Sequence, residues 1–494
     1  LYIVPGVAEA QGSAVPLLCL TSDTPVDQQG RGVLTELDQE SLFRPVTKWN
    51  ARVNASTTMG EMTRRAIRMA TSGRPGATHL SLPTDALEGE TPDGSVYGVL
   101  EFGQAPALRT RPDPDAVQRA ADALAAAERP AIVAGGGVLA SGAWDALTAL
   151  AETLNIPVAT SINGQGSIAE TSPVAIGVIG GNGARPYANA CVANADLIFY
   201  IGTRTDSTTT CHWTLPPMDG PQRVIHLDVE PREIGNNYRL VAGLAGDARL
   251  GLIDLLDAVA QPDKIHARNR DRIAGLVAAR DRYWADVAAQ AAIRNRPIKP
   301  AQVVRALRAA LDDDALIVAD PGTPTPFLSA QYELRRPGRT LVIPRAHGGL
   351  GYAIPGVVGA CYAAEGRRVV GMTGDGSFGM SVGELETITR YTLPAVIIQC
   401  ANASFGWIKE LQHLYHGGRF FGVDFNPVDY AAIARGFGFR AAHVTDPDEV
   451  EGAIAEALAD GGPYFLNIET ESPITETPPV AAWTEAEAKR AARV

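Results

Sequence analysis

A chain of 494 residues exceeds one ordinary hydrophobic core and predicts two or three domains of about 150 residues each. With 46% hydrophobic and 20% charged residues and a net charge of −12 without any basic run, it reads as a soluble globular protein and excludes nucleic acid as a partner. Five cysteines without CxxC spacing read as reduced core thiols, no apolar run reaches the roughly 18 residues of a membrane span, and the start lacks the basic head of a secretory signal, so no membrane partner and a cytoplasmic protein are expected. The text opens at leucine in mid-pattern, and a further N-terminal portion is expected to precede it.

Strand-like and helix-like runs alternate along the chain, which predicts an α/β fold of three doubly wound parallel-sheet units. In the first, residues 1–90, the strands "AVPLLCLTS" and "ATHLSLP" enclose the helix "STTMGEMTRRAIRMATS". Residues 87–115, rich in Pro and Gly, read as a linker. The second unit, 115–262, contains the strand "PAIVAGGGV", the helix "GAWDALTALAETLN" and the strands "IPVATS", "ADLIFYIGT" and "RVIHLDV". The polar stretch 263–300 with its charged helix "RNRDRIAGLVAARDRYWADVAAQ" reads as a second linker. The third unit, 298–480, runs from the helix "PAQVVRALRAALDD" and the strand "ALIVAD" to the strand "PYFLNIET". Within it, "RRVVGMT" and "LPAVIIQCAN" are buried strands, and "SVGELETITRYT" is a helix whose Ser381 and Glu384 have capping-box spacing.

The chemistry concentrates in "MTGDGSFGMSVGELETITRYTLPAVIIQCANASFGW", residues 372–407. Asp375 and Asn402 fall just past the carboxyl ends of two strands, where open α/β sheets bind ligands. A carboxylate and a carboxamide are oxygen donors suited to magnesium, which often shares phosphate oxygens. Gly374 and Gly376 let backbone amides approach a phosphate. A bare GDG is common turn chemistry, but here 24 residues separate Gly376 from Ala401 and both ends fall at strand termini. The pair reads as a magnesium diphosphate site.

This pattern, with "SLFRPVTKWN", "DVEPREIGNN", "HGGLGYAIPGVVGA" and "WIKELQHLYHGGRFFGVDF", resembles the thiamine diphosphate-dependent enzymes, in their acetolactate synthase-like branch. The resemblance covers nearly every block and implies the order pyrimidine-binding domain, central Rossmann-like domain, diphosphate-binding domain. It makes Asp375 and Asn402 magnesium ligands through their side chains and Ser404 one through its carbonyl. Gly374, Gly376, Ser377, Phe405 and Gly406 join them as cofactor contacts. Ala401 replaces the first asparagine of the family's pair, a position that is not a ligand. Leu350 matches the aliphatic prop that bends the cofactor into a V, while the Gly348 carbonyl and the Leu350 amide match positions bonding the pyrimidine edge. Gly322 and Thr323 match phosphate contacts, with a plain turn as the alternative. The family's activating glutamate lies upstream of the given residues, and Glu9 reads as structural or surface. Active sites shared between subunits imply a homodimer or homotetramer.

The resemblance further implies decarboxylation of a 2-oxo acid to an enamine that is protonated to an aldehyde or adds to a second carbonyl. Ile408 stands where decarboxylase relatives carry an acid, which favours carboligation or acyl transfer over simple decarboxylation or another C–C lyase reaction. Trp407, Ile408 and Leu411 would form an apolar substrate wall, or else ordinary core. FAD stays open. "GTRTDSTTT" lacks an arginine of the synthase pattern, whereas Gly135, Gly136 and Gly137 can line a nucleotide or form a tight turn. His413 and His416 read as solvated helix positions. Ala401 and the absence of an activating glutamate from these residues also allow a non-catalytic, cofactor-binding regulatory subunit.

Overall fold

The computed structural model describes residues 1–91 and 96–491. Residues 92–95 of the 87–115 linker lie outside the described residues.

Three parallel sheets organise the chain. The first holds β1 (Leu17–Asp23), β2 (Trp49–Arg52) and β3 (Ala77–Pro83) in the order β1-β3-β2. The middle strand, β3, is buried along its whole length, as a strand covered on both faces must be. The second sheet is built from β4 (Pro130–Ala134), β5 (Val158–Thr160), β6 (Ala175–Val178), β7 (Leu197–Ile201), β8 (Arg223–Asp228) and β9 (Leu240–Ala245). Its order, β6-β5-β4-β7-β8-β9, is that of a doubly wound dinucleotide-binding sheet, with the direction of winding reversing between β4 and β7. Leu124, Leu147, Leu150 and Leu154 cover one face, and Val192, Leu215 and Tyr238 the other. The third sheet holds β10 (Leu316–Ala319), β11 (Leu341–Val342), β12 (Val369–Gly374), β13 (Ala395–Ala401), β14 (Arg440–Val444) and β15 (Tyr464–Glu469), ordered β11-β10-β12-β13-β15-β14. Its winding reverses between β10 and β12, so the loops after β10 and β12 open at the switch point.

The charged segment after residue 262 does more than connect. It forms a 30-residue helix, Pro262–Ala291, whose Ile265, Asn269 and Ile273 are buried on the central unit. Asn269 Nδ2 donates to the Leu154 carbonyl at 3.1 Å, Arg272 to that of Pro130 at 2.6 Å and Arg280 to that of Ser172 at 2.8 Å. Its polar residues thus bond main-chain carbonyls of the central unit.

A buried joint links the second and third sheets. The fully buried Arg185 binds Glu170 at 2.7 Å, donates through Nε to the Ala330 carbonyl at 3.0 Å, and lies 4.7 Å from the Trp284 ring centre. Glu170 also accepts the Leu334 N–H at 3.1 Å. Room for the guanidinium comes from Gly177, at φ +80°, where a Cβ would stand 2.2 Å from Arg185 Nη1.

The expected capping box is absent. Ser381 ends the helix Asp375–Ser381, the next helix, Glu384–Arg390, starts after Gly383, and Glu384 accepts from Thr387 instead. The two residues belong to different helices, so neither can cap the other's turn.

Candidate functional site

β12 and β13 run side by side, with Gly374 opposite Cys400, so the residues that follow them emerge together. Asp375 opens a helix behind Gly374, and Asn402 follows Ala401 into a tight loop in which Ala403 has φ +53°. Asp375 Oδ1 accepts the Gly376 N–H at 3.0 Å and Oδ2 accepts the Asn402 N–H at 3.0 Å. Asn402 Oδ1 accepts the Ser404 hydroxyl at 2.9 Å. The three expected magnesium ligands therefore lie in one cluster.

Asp375 is only 4% exposed. Burial pushes its carboxyl up to about 6, opposed by backbone N–H groups alone. A buried carboxylate without a neighbouring cation is costly, and a divalent ion accepting its oxygens would relieve that cost. Among the described residues no group of three His, Cys, Asp or Glu forms a metal site. A magnesium site of one carboxylate, one carboxamide and one carbonyl would not take that form. The donor chemistry fits a hard cation.

Phe405 N–H donates to Val423 O and Phe425 N–H to Ala403 O, tying the loop to the chain beyond it. The Phe405 ring packs edge-on to Phe425 with centres 4.6 Å apart. A Cβ at Gly376 would come within 2.7 Å of Phe405, whereas one at Gly374 would meet only Cys400 O at 3.8 Å. Ring packing is therefore what demands the second glycine of the GDG. Thr323 and Asn402 line one small cleft with Cys400 and Phe327. A Cβ built on Gly322 would lie 4.0 Å from the buried Ser377 hydroxyl. The loop after β10 thus faces the start of the helix after β12.

Leu350 is not a core leucine. It is 44% exposed, on a turn that Gly348 (φ +65°) and Gly351 (φ +82°) make sharp. The turn's far end is held by Asp320, buried at the end of β10, whose Oδ1 accepts the Tyr352 N–H at 2.6 Å and whose Oδ2 accepts the Thr373 hydroxyl at 2.7 Å. Sequence reasoning passed over Asp320 as the last letter of a strand. An acid closing an apolar run at a sheet's carboxyl edge was the available signal.

Beyond the loop, the helix Gly406–Tyr415 divides the expected apolar wall. Ile408, 48% exposed, and Leu411 line a cleft with Gln412, His416 and Arg419. Trp407 turns instead onto Trp483, 4.3 Å between ring centres. His413 lies parallel to the Phe420 ring and 3.8 Å from Glu487.

A second cavity opens at the switch point of the central sheet. Gly136, Gly137, Asp228 and Asp247 line it together with Arg204 and Arg345. Gly135 and Gly137 are demanded by packing, since a Cβ on either would lie within 2.6 Å of Gly202. A Cβ on Gly136 would meet the Asn163 carbonyl oxygen at 3.3 Å. Arg345 Nε is buried without a partner. Such a donor suits an anionic group.

These features define a thiamine pyrophosphate enzyme. Residues 117–256 match the family described as thiamine pyrophosphate enzyme, central domain, and residues 320–468 match its C-terminal TPP binding domain. The chain is 31% identical over 498 residues to a probable acetolactate synthase large subunit of Methanococcus aeolicus, covering 98% of this chain and 82% of that protein. A probable acetolactate synthase large subunit of Methanocaldococcus jannaschii is also 31% identical, over 94% of this chain and 78% of its own length. The acetolactate synthase isozyme 3 large subunit of Escherichia coli is 28% identical over 92% and 78%. The chain belongs to the thiamine pyrophosphate enzyme family. Among its described residues no helix is long and apolar enough to cross a membrane.

Proposed function

We propose that the protein is a thiamine diphosphate- and magnesium-dependent carboligase that joins a 2-oxo acid, after decarboxylation, to a second carbonyl compound. Its likeness to acetolactate synthase large subunits supports this reading. The observation that carries it is the cleft on the helix that follows the Asn402 loop, where Ile408 and Leu411 stand with Gln412, His416 and Arg419 and no carboxylate. Asp375, Asn402 and the Ser404 carbonyl would hold magnesium and, through it, the diphosphate, with Gly322, Thr323 and Ser377 alongside. Gly348 and Leu350 would hold the pyrimidine. When bound, the thiazolium supplies the electron sink for loss of carbon dioxide. Ile408 cannot deliver a proton, which directs the reaction to a second carbonyl group. Arg419 offers a positive partner for that compound's carboxylate. Product analysis with a 2-oxo acid alone and with a second carbonyl compound tests the reading. The coupled product is expected, and free aldehyde alone would leave a decarboxylase.

The central cavity favours FAD as an additional ligand. It sits where a doubly wound sheet of this order takes dinucleotides, and its arginines, with the unpartnered Arg345 Nε, suit a diphosphate. Protein purified after growth with riboflavin should carry the visible absorption of bound flavin. A colourless protein that fails to take up added FAD would refute it.

A further inference from the structure

We propose that Glu9 and Asp320 are positioning residues that bracket the turn carrying Gly348 and Leu350 and set the height of the Leu350 side chain. This rests on the reading that the turn holds the cofactor's pyrimidine. Glu9, on the helix Val4–Gly12, is 7% exposed. Its Oε1 accepts the Ala346 N–H at 3.0 Å and the Ser13 hydroxyl at 2.9 Å, and its Oε2 accepts the His347 N–H at 2.9 Å. Asp320, 1% exposed, binds the other end through the Tyr352 N–H, with those of Gly351 and Ala353 beside it.

Among the described residues no main-chain carbonyl accepts from the N–H groups of residues 346–351. Two glycines at positive φ would give an untethered turn many conformations. Hydrogen bonds from N–H groups to buried carboxylates are the strong kind, and placed at both ends they leave Leu350 one position.

Steric contacts agree. A Cβ on Gly12 would stand 2.4 Å from the Ala346 Cβ, and one on Gly351 2.8 Å from the Met380 Cβ. The turn is therefore pressed between the N-terminal helix and the helix that begins with Asp375. Asp320 also holds Thr373, two residues before Asp375. One carboxylate thus sets the prop and the proposed metal end against each other.

The test uses the full-length protein carrying Glu9→Gln or Asp320→Asn, in which an amide NH₂ replaces an oxygen that faces donors. Deuterium uptake of cofactor-free protein should rise about tenfold or more in rate over residues 344–353 and stay unchanged over β7. Proton exchange at the thiazolium carbon of saturating thiamine diphosphate with magnesium should slow about tenfold, because small displacements cost rate steeply. Calorimetric affinity for the cofactor should change far less. Ser13→Ala, which leaves the Glu9 carboxylate in place, provides a milder variant should either amide protein fail to fold, and should show the same two effects in smaller measure. Leu350→Ala, measured in parallel, separates the two readings. If it leaves thiazolium exchange untouched, the assignment of the turn to the pyrimidine falls. If it slows exchange while the Glu9, Asp320 and Ser13 variants match the unmodified protein, the bracket is overturned.

Discussion

The N–H of Asn402 donates to the carboxylate of Asp375 at 3.0 Å, so the ends of β12 and β13 are joined through the residue proposed to bind the metal. The carboxylate is held by main chain alone, leaving lone pairs for a cation.

Asp375→Ala should abolish magnesium-dependent retention of thiamine diphosphate. It removes the sole charged side chain of the proposed ligand set, and the loss should exceed the roughly 10–100-fold that removal of an outer-shell partner costs. Calorimetry with and without magnesium checks this, and unchanged affinity would dismiss the metal assignment.

Leu350→Ala should leave cofactor affinity nearly intact, since the side chain is 44% exposed and supports no core. Proton exchange at the thiazolium carbon should fall on the order of a hundredfold, because truncation spoils an alignment rather than a contact area. Quenched-flow NMR measures it directly.

Ile408→Glu should move the products towards free aldehyde by placing a general acid in the cleft now walled by Ile408 and Leu411. Chromatography of products from a 2-oxo acid with an excess of acceptor gives the ratio. An unchanged ratio would mean that residue 408 does not face the reacting centre.

Stability should fall on acidification in a way that His226 accounts for in part. Burial lowers its pKa to about 4, below the ~6.5 of an exposed histidine. The unfolded chain therefore takes up this proton first, and the contribution of neutral His226, complete above about pH 6.5, is lost between there and about pH 4. Glutamine keeps an N–H for the Thr203 carbonyl, 2.9 Å from Nε2, and cannot ionise. In urea titrations at pH 7 and pH 4.5, His226→Gln should narrow the difference in unfolding free energy by roughly 1–3 kcal/mol. Equal differences in the two proteins would exclude His226.

Gly177→Ala should be severely destabilising. The new methyl would lie 2.2 Å from Arg185 Nη1 at a backbone angle of φ +80°. Displacing that guanidinium breaks a buried pair, a loss of about 3–5 kcal/mol. Thermal unfolding would show it, and a melting temperature within a degree or two of the unmodified protein would contradict it.

What could be read from the sequence was periodic or motif-like. β3 coincides with "ATHLSLP" because a short, largely apolar run between Gly76 and Pro83 reads as a strand even with Thr78, His79 and Ser81 inside it. Asp375 and Asn402 were visible because each breaks such a run at its end. β2 escaped because the alternation in "WNAR" runs for only four residues. β6 and β9 were missed for a similar reason: glycine interrupts each. Glu9 and Asp320 were hidden for a different cause: their partners are main-chain N–H groups, up to 338 residues away in the case of Glu9 and His347, and a backbone donor leaves no letter to read. The segment holding the Pro262–Ala291 helix read as a linker because its charged letters do not show that its arginines spend their charge on carbonyls of other elements.

The joint around Arg185 bears on how such a chain can be recombined. Its cation and its anion lie in the central unit, but the carbonyl and N–H that complete their bonding, Ala330 and Leu334, come from the C-terminal one. A crossover between positions 185 and 330 would therefore divide one hydrogen-bonded set between two parents. A chimaera made there keeps the buried charges only if the incoming half supplies the same two backbone groups at the same distance. Grafts that exchange the cofactor end of this protein should take residues 170–334 from a single source.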